Sequence, residues 1–125
     1  MVKLFKCAHC GNIIEMVEDK GVKVLCCGEP MQLLDPNTTD AAQEKHVPVV
    51  TVEGDKVTVN VGSAEHPMTE EHHIAFIILE TDKGVQKKHL DKTGKPEAVF
   101  ALAEGEKPVA AYEYCNLHGF WKKEL

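Results

Sequence analysis

Valine recurs at mostly alternate positions through residues 47–52 and strictly so through 56–61, on either side of Gly54-Asp55. That period of two predicts a β-hairpin with one buried face. Residues 73–80, nearly unbroken in apolar character from Ile74 to Leu79, predict a more fully buried strand. Residues 85–90, 97–103, 108–114 and 119–123 follow as further strands, each bounded by glycine, proline or acidic turn formers. Seven short strands at this spacing predict an immunoglobulin-like β-sandwich in an all-β chain. Helical periodicity is weak, although residues 39–45 are compatible with one turn.

The first third of the chain reads differently. Leu4-Phe5-Lys6 and residues 13–17, 22–25 and 31–34 are short strand candidates separated by cysteine-glycine turns, and they offer almost no apolar core. Asp35-Pro36-Asn37-Thr38-Thr39-Asp40 is rich in turn formers and predicts a linker. The expected organisation is two domains, residues 1–36 and 37–125. Domains this small commonly need a metal or disulfides.

Composition narrows the chemistry. The chain of 125 residues has fourteen lysines, no arginine and a net charge of −6, which argues against a nucleic-acid partner. Its longest apolar run is far too short to cross a bilayer, and no apolar leader follows a basic amino terminus, so the reading is a soluble, cytoplasmic protein without a membrane partner. Cysteines in a reducing compartment point to metal binding or redox work more than to disulfides, and five is an odd number for pairing.

Four of those cysteines lie between positions 7 and 27. Cys7-Ala8-His9-Cys10 is a knuckle that turns two thiolates toward one ion, whereas Cys26-Cys27 has no spacer and in a regular strand would point to opposite faces. The pair must therefore sit in a turn, which Gly28-Glu29-Pro30 supplies. Four sulfurs suit tetrahedral zinc or iron, and donor chemistry alone leaves both open. His9 reads as a surface residue.

The fifth cysteine and four of the remaining histidines form a second group. Cys115-Asn116-Leu117-His118 places a thiolate and an imidazole in one turn, His66 precedes Pro67, His72 begins the buried strand and His46 ends the linker. His46, His66, His72, His118 and Cys115 offer four nitrogens and one sulfur, too many for tetrahedral zinc and suited to square-pyramidal iron with a sixth position open. Blue copper is the competitor, but after His118 there is no methionine, and Met68 alone lies near another donor. His72 is preferred to its neighbour His73 because Ile74, Phe76 and Ile78 share its strand parity.

Cys7-Ala8-His9-Cys10-Gly11-Asn12, Cys26-Cys27-Gly28-Glu29-Pro30-Met31, Glu44-Lys45-His46-Val47-Pro48, His66-Pro67-Met68 and Tyr114-Cys115-Asn116-Leu117-His118-Gly119 together resemble the desulfoferrodoxins, two-iron superoxide reductases, along essentially the whole chain. The resemblance implies a desulforedoxin-like first domain holding a distorted iron tetrathiolate. It also implies an immunoglobulin-like second domain whose iron takes four equatorial imidazoles, from His46, His66, His72 and His118, and the axial thiolate of Cys115. This chain departs at His73, where the family pattern expects a large aromatic residue. The implied reaction is one-electron reduction of superoxide to hydrogen peroxide, in a cytoplasmic homodimer with a rubredoxin as electron donor. Lys45 is the candidate for attracting the anion, and the resemblance implies Glu44 for the sixth position of the oxidised iron. A pure electron carrier, a zinc-stapled binding module and a dismutase are the alternatives that residue chemistry leaves open.

Overall fold

The computed structural model describes all 125 residues. The chain divides into two compact units, Met1–Asp35 and Pro36–Leu125. No helix is long and apolar enough to cross a membrane.

In the first unit β1 (Leu4–Lys6) lies between β2 (Ile13–Glu15) and β5 (Gln32–Leu33), both antiparallel to it, with Phe5 opposite Ile14 on one side and Leu33 on the other. A two-residue ladder joins β3 (Leu25–Cys26) to β4 (Glu29–Pro30). Only Val2, Leu4, Cys7 and Met31 are buried. The strand expected over residues 22–25 shrinks to Leu25–Cys26, and Val22 is exposed. Alternation specifies a strand only when a surface exists for the apolar side chains to cover, and this unit has none to offer there.

The second unit opens with one helical turn, α1 (Gln43–His46), at the end of the window 39–45 where a turn was compatible. Seven strands follow: β6 (Pro48–Glu53), β7 (Lys56–Val61), β8 (Ile74–Thr81), β9 (Gly84–His89), β10 (Glu97–Ala101), β11 (Pro108–Cys115) and β12 (Gly119–Glu124). They form a three-stranded sheet, β10-β7-β6, and a four-stranded sheet, β12-β11-β8-β9. Gly54 takes a φ of 62° in the β6–β7 turn, a conformation that costs glycine little. Val57, Val59, Val61 and Phe100 from the first sheet meet Ile74, Ile77, Leu79, Ala111 and Cys115 from the second in one buried cluster. Two β-layers closing on such a core make the sandwich that the strand spacing predicts.

One detail overturns the parity argument for His72. Tyr114 pairs with Phe76 but Cys115 pairs with Ile74, so the register shifts by one residue at the start of β8. That bulge puts Ile74 and Ile77 into the same core cluster, while Phe76 stacks on Tyr114 with ring centroids 5.6 Å apart. Phe76 and Ile78 are buried, but they do not belong to the inter-sheet cluster that contains Cys115. Parity counted back from them therefore says nothing about where His72 points.

Candidate metal centres

Four imidazoles form a closed ring in the second unit. Centroids of successive rings are 4.8 Å apart for His46–His66, 4.6 Å for His66–His72, 5.0 Å for His72–His118 and 4.9 Å for His118–His46, and each plane stands at 73–86° to the next. The Cys115 thiol lies 4.0 Å from Nδ1 of His118 and is wholly buried in the core cluster. One donor atom from each of these five residues falls within 4.8 Å of all the others. The loops and turns that bring them together span α1, the segment after β7, the entry to β8 and the β11–β12 turn.

Hydrogen bonds decide which nitrogens face inward. Nδ1 of His46 is 2.7 Å from the carbonyl of Ala42, and Nδ1 of His66 is 2.7 Å from that of Pro67. A carbonyl only accepts, so both Nδ1 atoms carry protons and both Nε2 atoms keep lone pairs. Those two Nε2 atoms are 3.2 Å apart, and Nε2 of His46 is also 3.1 Å from Nδ1 of His118. The Nε2 of His72 is buried with no partner. Converging lone pairs and an orphaned buried nitrogen are what a bound cation satisfies.

Burial supplies the matching protonation states. It pulls the His66 imidazole down to about 4, and it lowers those of His46 and His72 as well, with neighbouring imidazoles adding to the effect. These rings stay neutral and available for a metal. Burial raises the Cys115 thiol, against the hydrogen bond its sulfur receives from the backbone N–H of His118 at 3.4 Å, so it is a bound metal that favours the thiolate.

Some of the supporting residues have no signature in the sequence. A Cβ added to Gly62 would lie 2.6 Å from the carbonyl oxygen of Glu44, so only glycine lets the loop carrying His66 approach α1 this closely. The same Glu44 carbonyl accepts from the backbone N–H of Ala64 at 2.9 Å and from the Ser63 hydroxyl at 3.2 Å. The indole of Trp121 stacks on His46 at 5.0 Å. The lone tryptophan of the chain, next but two to a histidine ligand, is the only hint the sequence offers.

His73 points elsewhere. Its Nδ1–H donates to the carbonyl of Thr69 at 2.9 Å, and it takes no part in the ring. Glu44 and Lys45 are exposed, while their backbone is fixed by α1 and by the Gly62 contact.

In the first unit Cys7, Cys10, Cys26 and Cys27 also bring their sulfurs within 4.8 Å of one another, all as free thiols. Cys27 has a φ of 52° and Gly28 one of 78°, and this left-handed turn is how adjacent cysteines reach one point. Backbone N–H groups of Cys10 and His9 pull the Cys7 thiol down to about 6, whereas sharing a hydrogen with the Cys10 sulfur, 3.6 Å away, pushes Cys26 up to about 12. The metal-free cluster thus releases one proton readily and holds another tightly, and a cation is needed to ionise all four. Asn12 donates from Nδ2 to the Cys26 sulfur at 3.7 Å. His9 lies outside the cluster and pairs with Glu29 at 3.0 Å.

Comparison with known proteins agrees with both donor sets. The family described as desulfoferrodoxin matches residues 38–124, and the desulfoferrodoxin N-terminal domain matches residues 1–34. The chain belongs to the desulfoferrodoxin family. It is 47% identical over 122 residues to a desulfoferrodoxin of Nitratidesulfovibrio vulgaris, covering 98% of this chain and 95% of that one. The superoxide reductase of Treponema pallidum superposes with a TM-score of 0.85 at 43% identity, covering 99% of each chain. A one-iron superoxide reductase of Giardia intestinalis superposes with a TM-score of 0.56 at 36% identity, covering 66% of this chain and 99% of that one. The group of four cysteines and the group of four histidines with one cysteine match the two iron sites of the desulfoferrodoxins, which decides between zinc and iron in favour of iron.

Proposed function

We propose that this chain is a superoxide reductase that converts superoxide to hydrogen peroxide without evolving oxygen. The observation that carries this reading is the closed ring of four imidazoles with one buried thiol beside it. His46, His66, His72, His118 and Cys115 would hold iron, which would supply the single electron that, with two protons, takes superoxide to hydrogen peroxide. The protein's own groups do the rest. Proton donation from the Nδ1 atoms of His46 and His66 to backbone carbonyls orients their lone pairs inward before any metal arrives. The N–H of His118 holds the Cys115 sulfur on the core side of the ring.

Lys45 attracts the anion. The protein as a whole is acidic, so a local cation must create the guiding field, and the charge of Lys45 reaches both His46 and His72. Glu44, beside it, would offer its carboxylate to the oxidised site. Residues 1–36 form a desulforedoxin-like domain for the tetrathiolate iron, and residues 37–125 carry the reductase activity. The free thiols suit a reducing cytoplasm, where the enzyme detoxifies superoxide and takes electrons from a rubredoxin. Exposed Val17, Val22, Leu25 and Leu33 on the first unit support a homodimer that covers them.

Protein purified without oxygen is the test. It should contain two irons per chain, consume superoxide and yield peroxide with no oxygen release. Cys115→Ser should abolish that turnover and leave the tetrathiolate chromophore, and Cys27→Ser should do the reverse. Zinc at both sites, or oxygen evolution during turnover, refutes the reading.

A further inference from the structure

The turn from Thr69 to His73 is closed on itself. The Thr69 backbone N–H donates to the carbonyl of His72 at 2.9 Å, the Thr69 hydroxyl accepts from the N–H of His72 at 3.1 Å, and the His73 imidazole donates to the Thr69 carbonyl at 2.9 Å. His72 therefore sits inside a small rigid block. Just beyond the block, the pairing of Ile74 with Cys115 ties the start of β8 to the end of β11, and it leaves the residues on either side of His72 to be anchored separately.

Asn116 anchors them with two side-chain hydrogen bonds and one from its backbone. Its Oδ1 accepts from the backbone N–H of His73 at 2.9 Å, its Nδ2 donates to the carbonyl of Glu71 at 2.9 Å, and its own N–H donates to the carbonyl of His73 at 3.2 Å. The two side-chain bonds straddle His72 from either flank. Asn116 itself follows Cys115 directly and stands two residues before His118. One amide side chain thus spans 43 residues of sequence to join three of the five donors.

We propose that Asn116 is a positioning residue, which holds the His72 block in register with the Cys115–His118 turn so that the donors converge before iron binds. This rests on the five-donor set being the iron site. An amide is the group the geometry requires, because one bond needs an acceptor and the other a donor on the same short side chain. Partners that orient metal ligands typically contribute 10–100-fold to affinity or activity. Asn116 is exposed, so truncating it opens no cavity in the core and its effect is not one of packing.

The experiment compares full-length wild type, Asn116→Ala and Asn116→Asp, each loaded with ferrous iron, by competition against a chelator and by the thiolate-to-iron absorption band after oxidation. Asn116→Ala should weaken iron binding at the second site by roughly tenfold or more and shift the band. Asn116→Asp keeps the acceptor for His73 and loses the donor for Glu71, so it should fall between. In metal-free protein the His73 amide should exchange its hydrogen faster in the alanine variant, while the near-ultraviolet signal of Trp121 reports that the fold is intact. If both variants bind iron and absorb as the wild type does, Asn116 positions nothing, whatever happens to the unfolding midpoint. Should Asn116→Ala fail to fold, Asn116→Asp decides alone by the same two readouts. Failure of the wild type to take iron at this site would instead refute the proposed function.

Discussion

Trp121 lies against the imidazole of His46 with ring centroids 5.0 Å apart and planes only 22° apart. Its indole N–H also donates to the carbonyl of His118 at 3.0 Å, so one fully buried side chain braces two donors of the ring. Trp121→Phe keeps most of the stacked surface and loses the hydrogen bond, which should cost about 1 kcal/mol of stability. Trp121→Ala should cost roughly 3–5 kcal/mol and loosen iron as well. Denaturant unfolding of the metal-free and iron-loaded proteins checks both, and equal stability of all three proteins would contradict the bracing role.

The adjacent histidines should separate cleanly. His72→Ala removes a donor whose inward nitrogen has no other partner, so iron at the second site should be lost while the fold survives. His73→Ala removes a hydrogen bond to Thr69, worth about 1 kcal/mol, and should leave iron content near normal. Metal analysis with thermal unfolding tells the two effects apart, and the opposite pattern would reassign the ligand.

Lys45→Ala should slow the bimolecular reaction with superoxide a few-fold and flatten its dependence on ionic strength, because a field created by one exposed cation is screened within about 10 Å at 0.1 M salt. Pulse radiolysis across a salt series measures this directly. Unchanged rate and slope would move the steering role to another cation.

Metal-free protein should show opposing pH effects from two buried groups. His66 titrates at about 4 in the fold against 6.5 when unfolded, so the unfolded chain binds more protons and stability rises with pH through that window. Glu113 is wholly buried with both carboxylate oxygens unpartnered, and burial raises it well above 4.5, so the folded state holds the extra proton and stability falls as pH rises above 4.5. Glu113→Gln should remove the second effect. Its unfolding free energy should then climb more steeply than that of the wild type between pH 4.5 and 6.5. Parallel curves for the two proteins would show that Glu113 keeps the same protonation when folded and unfolded.

What the sequence determined by itself was local. The C-x-x-C knuckle, the Cys115–His118 turn and the Gly54 hairpin each depend on residues within a few positions of one another, so spacing and turn chemistry were enough to read them. The expectation that Cys26-Cys27 sits in a turn followed from the same rule and is met at Cys27 alone, whose φ of 52° ends the strand just after Cys26. Tertiary structure decided everything that rests on a distant partner. The carbonyls of Ala42 and Pro67 choose which nitrogen of His46 and His66 turns inward, the bulge opposite Cys115 breaks the parity on which the choice between His72 and His73 had leaned, and Gly62 matters only because the Glu44 carbonyl arrives beside it. A period of two cannot register one inserted residue, and a donor list cannot say which atom donates. Both are set by hydrogen bonds between segments that meet only when the two sheets close.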